Sequence, residues 1–247
     1  MKTSGALELL GAFTSAQWGM VTSRQAKEVG VDGVTLHRLE QAGHLDRIRH
    51  GVYAATIAVV AEAREEQAAW LMLDVAKPAW KRTPLDPDGG VVSHESAARL
   101  HRLGELVNDR IVLTTPRRRT SRDPDVRFRT AALTADDVTS IDGLPVTTAL
   151  RTIRDLLEQH LDGSHVATII REAVEANLVR LDVLAEHIGP HALRYGLRRS
   201  GDGEALLELL LAKVGTTVTR LAHRPAPPRS AAVTGRALEL AEQEIQP

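Results

Sequence analysis

The sequence predicts an α+β protein, an N-terminal winged helix-turn-helix followed by a larger mixed α+β domain. Three observations predict it. Two short, capped helical segments follow each other between residues 22 and 43. An alternating stretch with a glycine turn comes directly after them, and Asp142-Gly143 stands between two runs of strand-forming residues. Each is a local signal with its own physical cause.

A first short helix is expected over residues 7–13, with Leu7, Leu10 and Phe13 on one face. Thr22 is followed three residues later by Gln25, the capping-box spacing, so a second helix starts near Ser23 and stops at Gly30. Ala26 and Val29 give it an apolar side. Asp32 caps a third helix that runs to Ala42, with Gly43 in the C-terminal capping position. Two short helices across a glycine-containing turn make a helix-turn-helix. Beyond Gly43 the period falls to two. Leu45, Arg47 and Arg49, then Val52-Tyr53, alternate around His50-Gly51 as the two strands of a wing do.

Residues 56–76 read as a long helix ending at Lys77-Pro78. The three Pro and two Gly of residues 77–90 read as a linker that few packing contacts cross. This divides the chain into a DNA-binding unit (1–55), a connecting helix and linker (56–90) and an α+β unit (91–247). The last opens with Val91-Val92 and a Ser93-capped helix from His94 to about Arg102. Ile111–Leu113 and Val126–Arg129 read as strands on either side of the basic loop Arg117-Arg118-Arg119-Thr120-Ser121-Arg122. Val138–Ile141 and Leu144–Thr147 flank Asp142-Gly143, a strong hairpin signal. Thr148 caps a helix whose apolar positions are Leu150, Ile153, Leu156 and Leu157. Further helices are expected near 164–177, 181–188 and 203–213. A Pro-rich stretch at 224–228 then leads to a terminal amphipathic helix over 234–245.

Composition narrows the function. Hydrophobic residues make up 43% of the chain and aromatics 3%, so the cores are aliphatic. Bases and acids nearly cancel, 31 against 32, and no global charge draws the protein to nucleic acid or membrane. Their distribution is uneven: residues 91–130 hold nine Arg against five acids, and 131–214 hold eight bases against thirteen. There is no cysteine, which excludes disulfides, thiolate metal sites and cysteine nucleophiles. The N-terminus has no signal-peptide core, and the longest apolar run, Ala205 to Ala212, is too short to span a bilayer. A cytoplasmic protein without a membrane partner is expected.

Val34, His37, Arg38 and Gln41 recur at i, i+3, i+4 and i+7, opposite Leu36 and Leu39. With Thr35 they form a candidate base-reading face. Arg suits guanine, Gln suits adenine, and an aliphatic group suits a thymine methyl. Arg47, Arg49 and His50 at the wing are candidates for phosphate or minor-groove contact. Residues 1–53 carry six bases and five acids, too little charge for firm DNA binding alone, so self-association on DNA or a second basic surface is required. Arg117, Arg118 and Arg119 are candidates for that surface, and equally for a partner-facing or solvated loop. His94 and His101 stand seven apart, not at the i, i+4 spacing of a helical zinc site. Arg151 and Asp155 stand four apart, an intrahelical ion pair. Ser93 and His94 are adjacent and make no triad by sequence, and there is no Gly-rich phosphate loop. No catalytic residue, metal or cofactor is therefore expected, and the protein is read as a non-enzyme.

Gly19, Leu36 and Leu39, Gly43, and Arg47-Ile48-Arg49-His50-Gly51-Val52-Tyr53 stand in the order and spacing of a known family. The segment Gly19–Tyr53 resembles the N-terminal winged helix of AbiEi-family antitoxins from type IV toxin–antitoxin systems. Val92-Ser93-His94-Glu95-Ser96-Ala97-Ala98, the basic segment after Thr115-Pro116, and Gly143-Leu144-Pro145-Val146-Thr147-Thr148 leading into Arg151-Thr152-Ile153-Arg154-Asp155-Leu156 extend the resemblance over about residues 7–160. The resemblance implies a repressor of its own operon that binds inverted repeats in operator DNA. It also implies a C-terminal part that neutralises a cognate nucleotidyltransferase toxin. Two rival readings are a protein-interaction regulator without sequence-specific DNA binding and a nuclease-related DNA-binding protein. The second is the weaker, because residues 160–247 hold a single Lys, Lys213, with no carboxylate pair spaced to hold a divalent cation beside it.

Overall fold

The first helix, α1 (Thr3–Thr14), turns Ala6, Leu10 and Phe13 inward. In the computed structural model, which describes residues 2–107 and 109–223, α1 is followed by β1 (Met20–Thr22), α2 (Ser23–Glu28) and α3 (Gly33–Gln41). The wing strands β2 (Leu45–Arg49) and β3 (Val52–Ala55) come next. The expected caps form. Thr22 and Gln25 exchange both capping-box hydrogen bonds, and the Asp32 carboxylate accepts from the Thr35 amide at 2.8 Å. β1, three residues long and too short for a periodicity to register, adds to β3 on the far side from β2. The antiparallel order is β1-β3-β2. Helix, strand, two helices and a hairpin on one small sheet is the arrangement of a winged helix-turn-helix.

The long helix expected over 56–76 is shorter. Helix α4 covers Arg64–Leu71, and residues 56–63 leave the wing as irregular chain. Thr56 donates its hydroxyl to the carbonyls of Gly43 and His44, and the β-branched Ile57, Val59 and Val60 that follow have no capping residue to start a helix.

The second unit contains β4 (Val91–Val92), α5 (His94–Leu100), β5 (Ile111–Thr115), β6 (Val126–Thr130), β7 (Val138–Ile141) and β8 (Leu144–Thr147). Helices α6 (Ala149–Glu158), α7 (Gly163–Glu175), α8 (Leu181–Ile188), α9 (Gly203–Ala212) and α10 (Val218–Ala222) complete it. The five strands form one mixed sheet in the order β6-β5-β4-β8-β7, with β4·β8 and β5·β6 parallel and the other pairs antiparallel. At the β7–β8 turn both Asp142 (φ 49°) and Gly143 (φ 77°) take the left-handed conformation that a two-residue hairpin favours. Gly203 is needed where α9 starts against α8, since a Cβ there would lie 1.8 Å from the Ala185 carbonyl oxygen. The Pro-rich stretch at 224–228 and the terminal helix expected over 234–245 lie outside the described residues.

Three apolar clusters hold the chain together. One joins α1, α2, α3 and the wing through Leu10, Val21, Leu36, Leu39 and Tyr53. A second gathers the helices of the C-terminal half around Ile153, Leu156, Ile170, Leu184, Leu206 and Leu210. The third crosses the expected boundaries: Met20, Val52 and Ala54 pack with Trp70, Leu71 and Leu73, and these with Val92, Leu113, Leu144 and Val146. Helix α4 is thus buried between the wing sheet and the larger sheet. The expectation that residues 77–90 carry few contacts fails for the same reason. Arg82 donates to the carbonyls of Trp70, Leu71, Asp74 and Lys77 and lies 4.4 Å over the Trp70 ring. Trp70 Nε1 in turn donates to Gly90 at 2.7 Å. Burial pushes the Arg82 guanidinium down to about 10. Among the described residues, no helix is long and apolar enough to cross a membrane.

Candidate nucleic-acid interface

Helix α3 is amphipathic in the sense the sequence predicts. Leu36 and Leu39 are buried, while Val34 (59% exposed), His37, Arg38 and Gln41 face solvent in one row; Thr35 is half-buried at their edge. The Asp32 cap fixes where the helix starts and thereby the rotation of that row. The hydrogen bonds from Thr35 hold the Asp32 carboxyl below its usual range. His37 Nδ1 lies 3.5 Å from Glu40, and Arg38 and Gln41 are exposed beside it. Such a surface offers bidentate donors and an aliphatic contact to base edges.

The three wing candidates do not share one surface. Arg47 and His50 are exposed at the wing tip, with Arg47 Nη2 2.8 Å from His50 Nδ1. Arg49 points the other way. Its side chain is 10% exposed and its guanidinium is held by Glu65 of α4 at 3.0 Å and Asp123 at 2.5 Å. Strict alternation along β2 puts Arg47 and Arg49 on one face, but the register against β3 shifts between them. That bulge turns Arg49 inward. Arg49 is structural in this geometry and is not presented to a phosphate.

The basic loop between β5 and β6 comes up beside the wing, where His50 and Arg49 line one groove with Arg118, Arg119 and Arg122. Arg117 is exposed and reaches Asp88 at 3.5 Å. Arg118 is exposed and makes no hydrogen bond or ion pair among the described residues. Arg119, half-buried, donates to the carbonyls of Leu73 (2.9 Å) and Asp88 (2.6 Å). The loop therefore presents Arg117 and Arg118 outward on a base fastened by Arg119. Nothing in sequence spacing signals this neighbourhood, because it depends on α4 docking the wing onto the sheet.

The two motif stretches of the second unit also meet. Ser93, expected as the cap of α5, makes no capping hydrogen bond; Thr114 donates its hydroxyl to Ser93 Oγ, which lies 2.9 Å from His94 Nδ1. His94 begins α5 in the left-handed region (φ 55°). Its Nδ1 is 3.8 Å from Asp155 Oδ2, while Asp155 Oδ1 accepts from Arg151 Nε at 2.7 Å. Burial pushes His94 down to about 4, helped by Arg129, Arg151 and Arg127. Burial also pushes Asp155 up to about 6, against the pull of Arg151. The imidazole is neutral at neutral pH, so the 3.8 Å contact is no salt bridge. Nor is this a nucleophile relay, since Ser93 is fully buried and both Ser93 and Asp155 face the same ring nitrogen. His101 turns elsewhere, its Nε2 donating to the Thr147 carbonyl at 2.7 Å. Arg151 bridges Asp155 and Asp137, as the four-residue spacing predicts for the first of them.

Residues 9–56 match the family model described as a transcriptional regulator, AbiEi antitoxin, a match confined to the first quarter of the chain. It spans the second half of α1 and the whole of the helix-turn-helix and wing. No curated protein matches the chain. Among solved structures, the RV2827C protein from Mycobacterium tuberculosis is similar with a TM-score of 0.49 at 14% identity, over 91% of this chain and 83% of that chain.

Proposed function

We propose that this chain, whose first quarter carries the antitoxin-regulator match, is a DNA-binding repressor that reads operator DNA with α3. The carrying observation is the exposed row Val34, His37, Arg38 and Gln41 on a rigidly capped helix, opposite the buried Leu36 and Leu39. Arg47 and His50 at the wing tip and Arg117 on the adjoining loop supply phosphate contacts that the near-neutral N-terminal unit lacks. Two copies on inverted repeats add to that charge. The protein acts by binding and not by catalysis, in the cytoplasm. The second unit serves as the antitoxin part, neutralising a cognate nucleotidyltransferase toxin encoded beside it.

The reading is tested by titrating fragments of the chain's own promoter against salt. Saturable, sequence-selective binding with a steep salt slope supports it. Equal, weak binding to every fragment defeats it. In that outcome the winged helix serves protein contact instead. The exposed Ile57 (96%), Val59 (91%) and Val60 (70%) beside the wing favour that second reading.

A further inference from the structure

Between the wing and the β5–β6 loop lies a groove of about 1010 Å3. Its floor is apolar. Ala69, Met72 and Leu73 come from α4 and its exit, and Val126 and Phe128 come from β6, the edge strand of the larger sheet. Met72 is 38% exposed and Phe128 half-buried, so the floor is open to whatever enters.

The rim is cationic, with Asp123 as the one acid among the lining residues. Its cations differ in what they have left to give. Arg49 is committed to Glu65 and Asp123, and Arg119 to the Leu73 and Asp88 carbonyls. Arg118 and Arg122, both exposed, make no hydrogen bond or ion pair among the described residues. The groove thus combines an unfilled apolar floor with two unspent guanidinium groups at its mouth.

That combination selects its occupant. A bare phosphate gains nothing from Met72 and Phe128, and a neutral apolar molecule gains nothing from Arg118 and Arg122. We propose that the groove is a binding site for a small amphipathic anion. An aromatic or short acyl body lies on Met72 and Phe128, and a carboxylate- or sulfonate-like group meets Arg118 and Arg122. The volume suits such a molecule, since small-molecule sites run to about 300–1,000 Å3. A junction between two packed units is also where such sites gather. A duplex backbone is the competing occupant; it would engage the two arginines but leave the apolar floor wet. The site does not depend on the DNA reading. Because Arg49 and Asp123 line it, a ligand there sits on the clasp between the wing and the second unit.

The test uses the full chain and two fluorescent probes, the anion 8-anilinonaphthalene-1-sulfonate and its uncharged relative N-phenyl-1-naphthylamine. The anion should bind saturably at one site. Replacing Arg118→Ala and Arg122→Ala together should weaken the anion by about tenfold or more, the loss expected of charge-assisted contacts, and leave the neutral probe within about twofold. Met72→Glu should weaken both probes. These positions are exposed, and an unchanged melting midpoint separates lost binding from lost fold. The proposal is overturned if the anion shows no saturable binding or if no variant alters it. It also falls if an unrelated DNA duplex displaces the anion stoichiometrically, which would assign the groove to the DNA surface.

Discussion

Arg49 of the wing is ion-paired with Asp123 of the β5–β6 loop at 2.5 Å, across 74 residues of sequence. Glu65 of α4 holds the same guanidinium at 3.0 Å. One side chain therefore ties wing, connecting helix and larger sheet together. Helix α3 and the basic loop are consequently fixed relative to each other, as the proposed two-part DNA surface requires.

Arg49→Ala should act on stability. Removing it leaves two partly exposed carboxylates facing each other, and a loss of about 1–3 kcal/mol is expected, below the cost of breaking a fully buried pair. Arg47→Ala should leave stability unchanged, weaken binding to all DNA sequences alike and flatten the salt slope by about one unit. Urea denaturation and salt-titrated binding on both variants check this. The assignment of the wing fails if Arg49→Ala is as stable as wild type and shows the salt effect instead.

Arg38→Ala and Gln41→Ala should each cost about 1–3 kcal/mol of operator binding with little change in stability, because both side chains are exposed and the proposal sets them against base edges. Footprinting gives the readout. A wild-type footprint from both variants removes α3 from the role of reader.

Much of the N-terminal unit, and the β7–β8 hairpin of the second, was legible because the determinants are local. The Thr22–Gln25 box, the Asp32 cap and the Asp142-Gly143 turn each act within four residues, and all three form. The faces of α3 and α6 follow from helical period, with Leu36 and Leu39, and Ile153, Leu156 and Leu157, buried as spaced. What was not legible depends on partners distant in sequence. The bulge that turns Arg49 inward, the Trp18 Nε1 hydrogen bond to the Asp142 carbonyl and the carbonyls that hold Arg82 have no local signature. Pro and Gly in residues 77–90 correctly marked an absence of long elements, but composition does not tell a loose linker from irregular chain that is packed down.

His94 and Asp155 make opposite demands on pH. His94 falls to about 4 in the folded chain, so its contribution is present above 6.5 and is lost as pH drops toward 4. Asp155 rises to about 6, so its contribution is present below 3.8 and is lost as pH climbs through 6. Between about 4 and 6 the two slopes oppose each other. Asp155→Asn should therefore lose stability on acidification from pH 6.5 to 4.5 more steeply than wild type, by up to about 1.4 kcal/mol per pH unit. His94→Asn, chosen because Asn tolerates a positive φ, should instead gain stability over the same range relative to wild type. Urea midpoints at the two pH values decide it; parallel behaviour of both variants with wild type would remove the pair from the pH response.

The last expectation concerns cooperativity. The three tryptophans, Trp18, Trp70 and Trp80, all lie in the first third of the chain, so their fluorescence reports the wing, α4 and the segment after it. Far-ultraviolet circular dichroism reports mostly the helices, many of which lie beyond residue 148. If residues 77–90 were a loose tether, the two signals would change at different urea concentrations. The structure argues against that. Trp70, Leu71 and Leu73 share a core with Val92, Leu113, Leu144 and Val146, and α5 carries the link onward. Its Ala97 and Leu100 belong to that core, and its Ala98 belongs to the helical cluster around Leu156 and Ile170. The two transitions should therefore coincide, as for a single cooperative unit. For the same reason a fragment of residues 91–247 should unfold at a lower urea midpoint than the full chain. Cutting at residue 90 removes Trp70, Leu71 and Leu73 from that core and uncovers the face of the sheet that α4 protects. A 91–247 fragment as stable as the full chain, or fluorescence and dichroism midpoints clearly apart, would show that the shared core contributes little and that the two units fold independently.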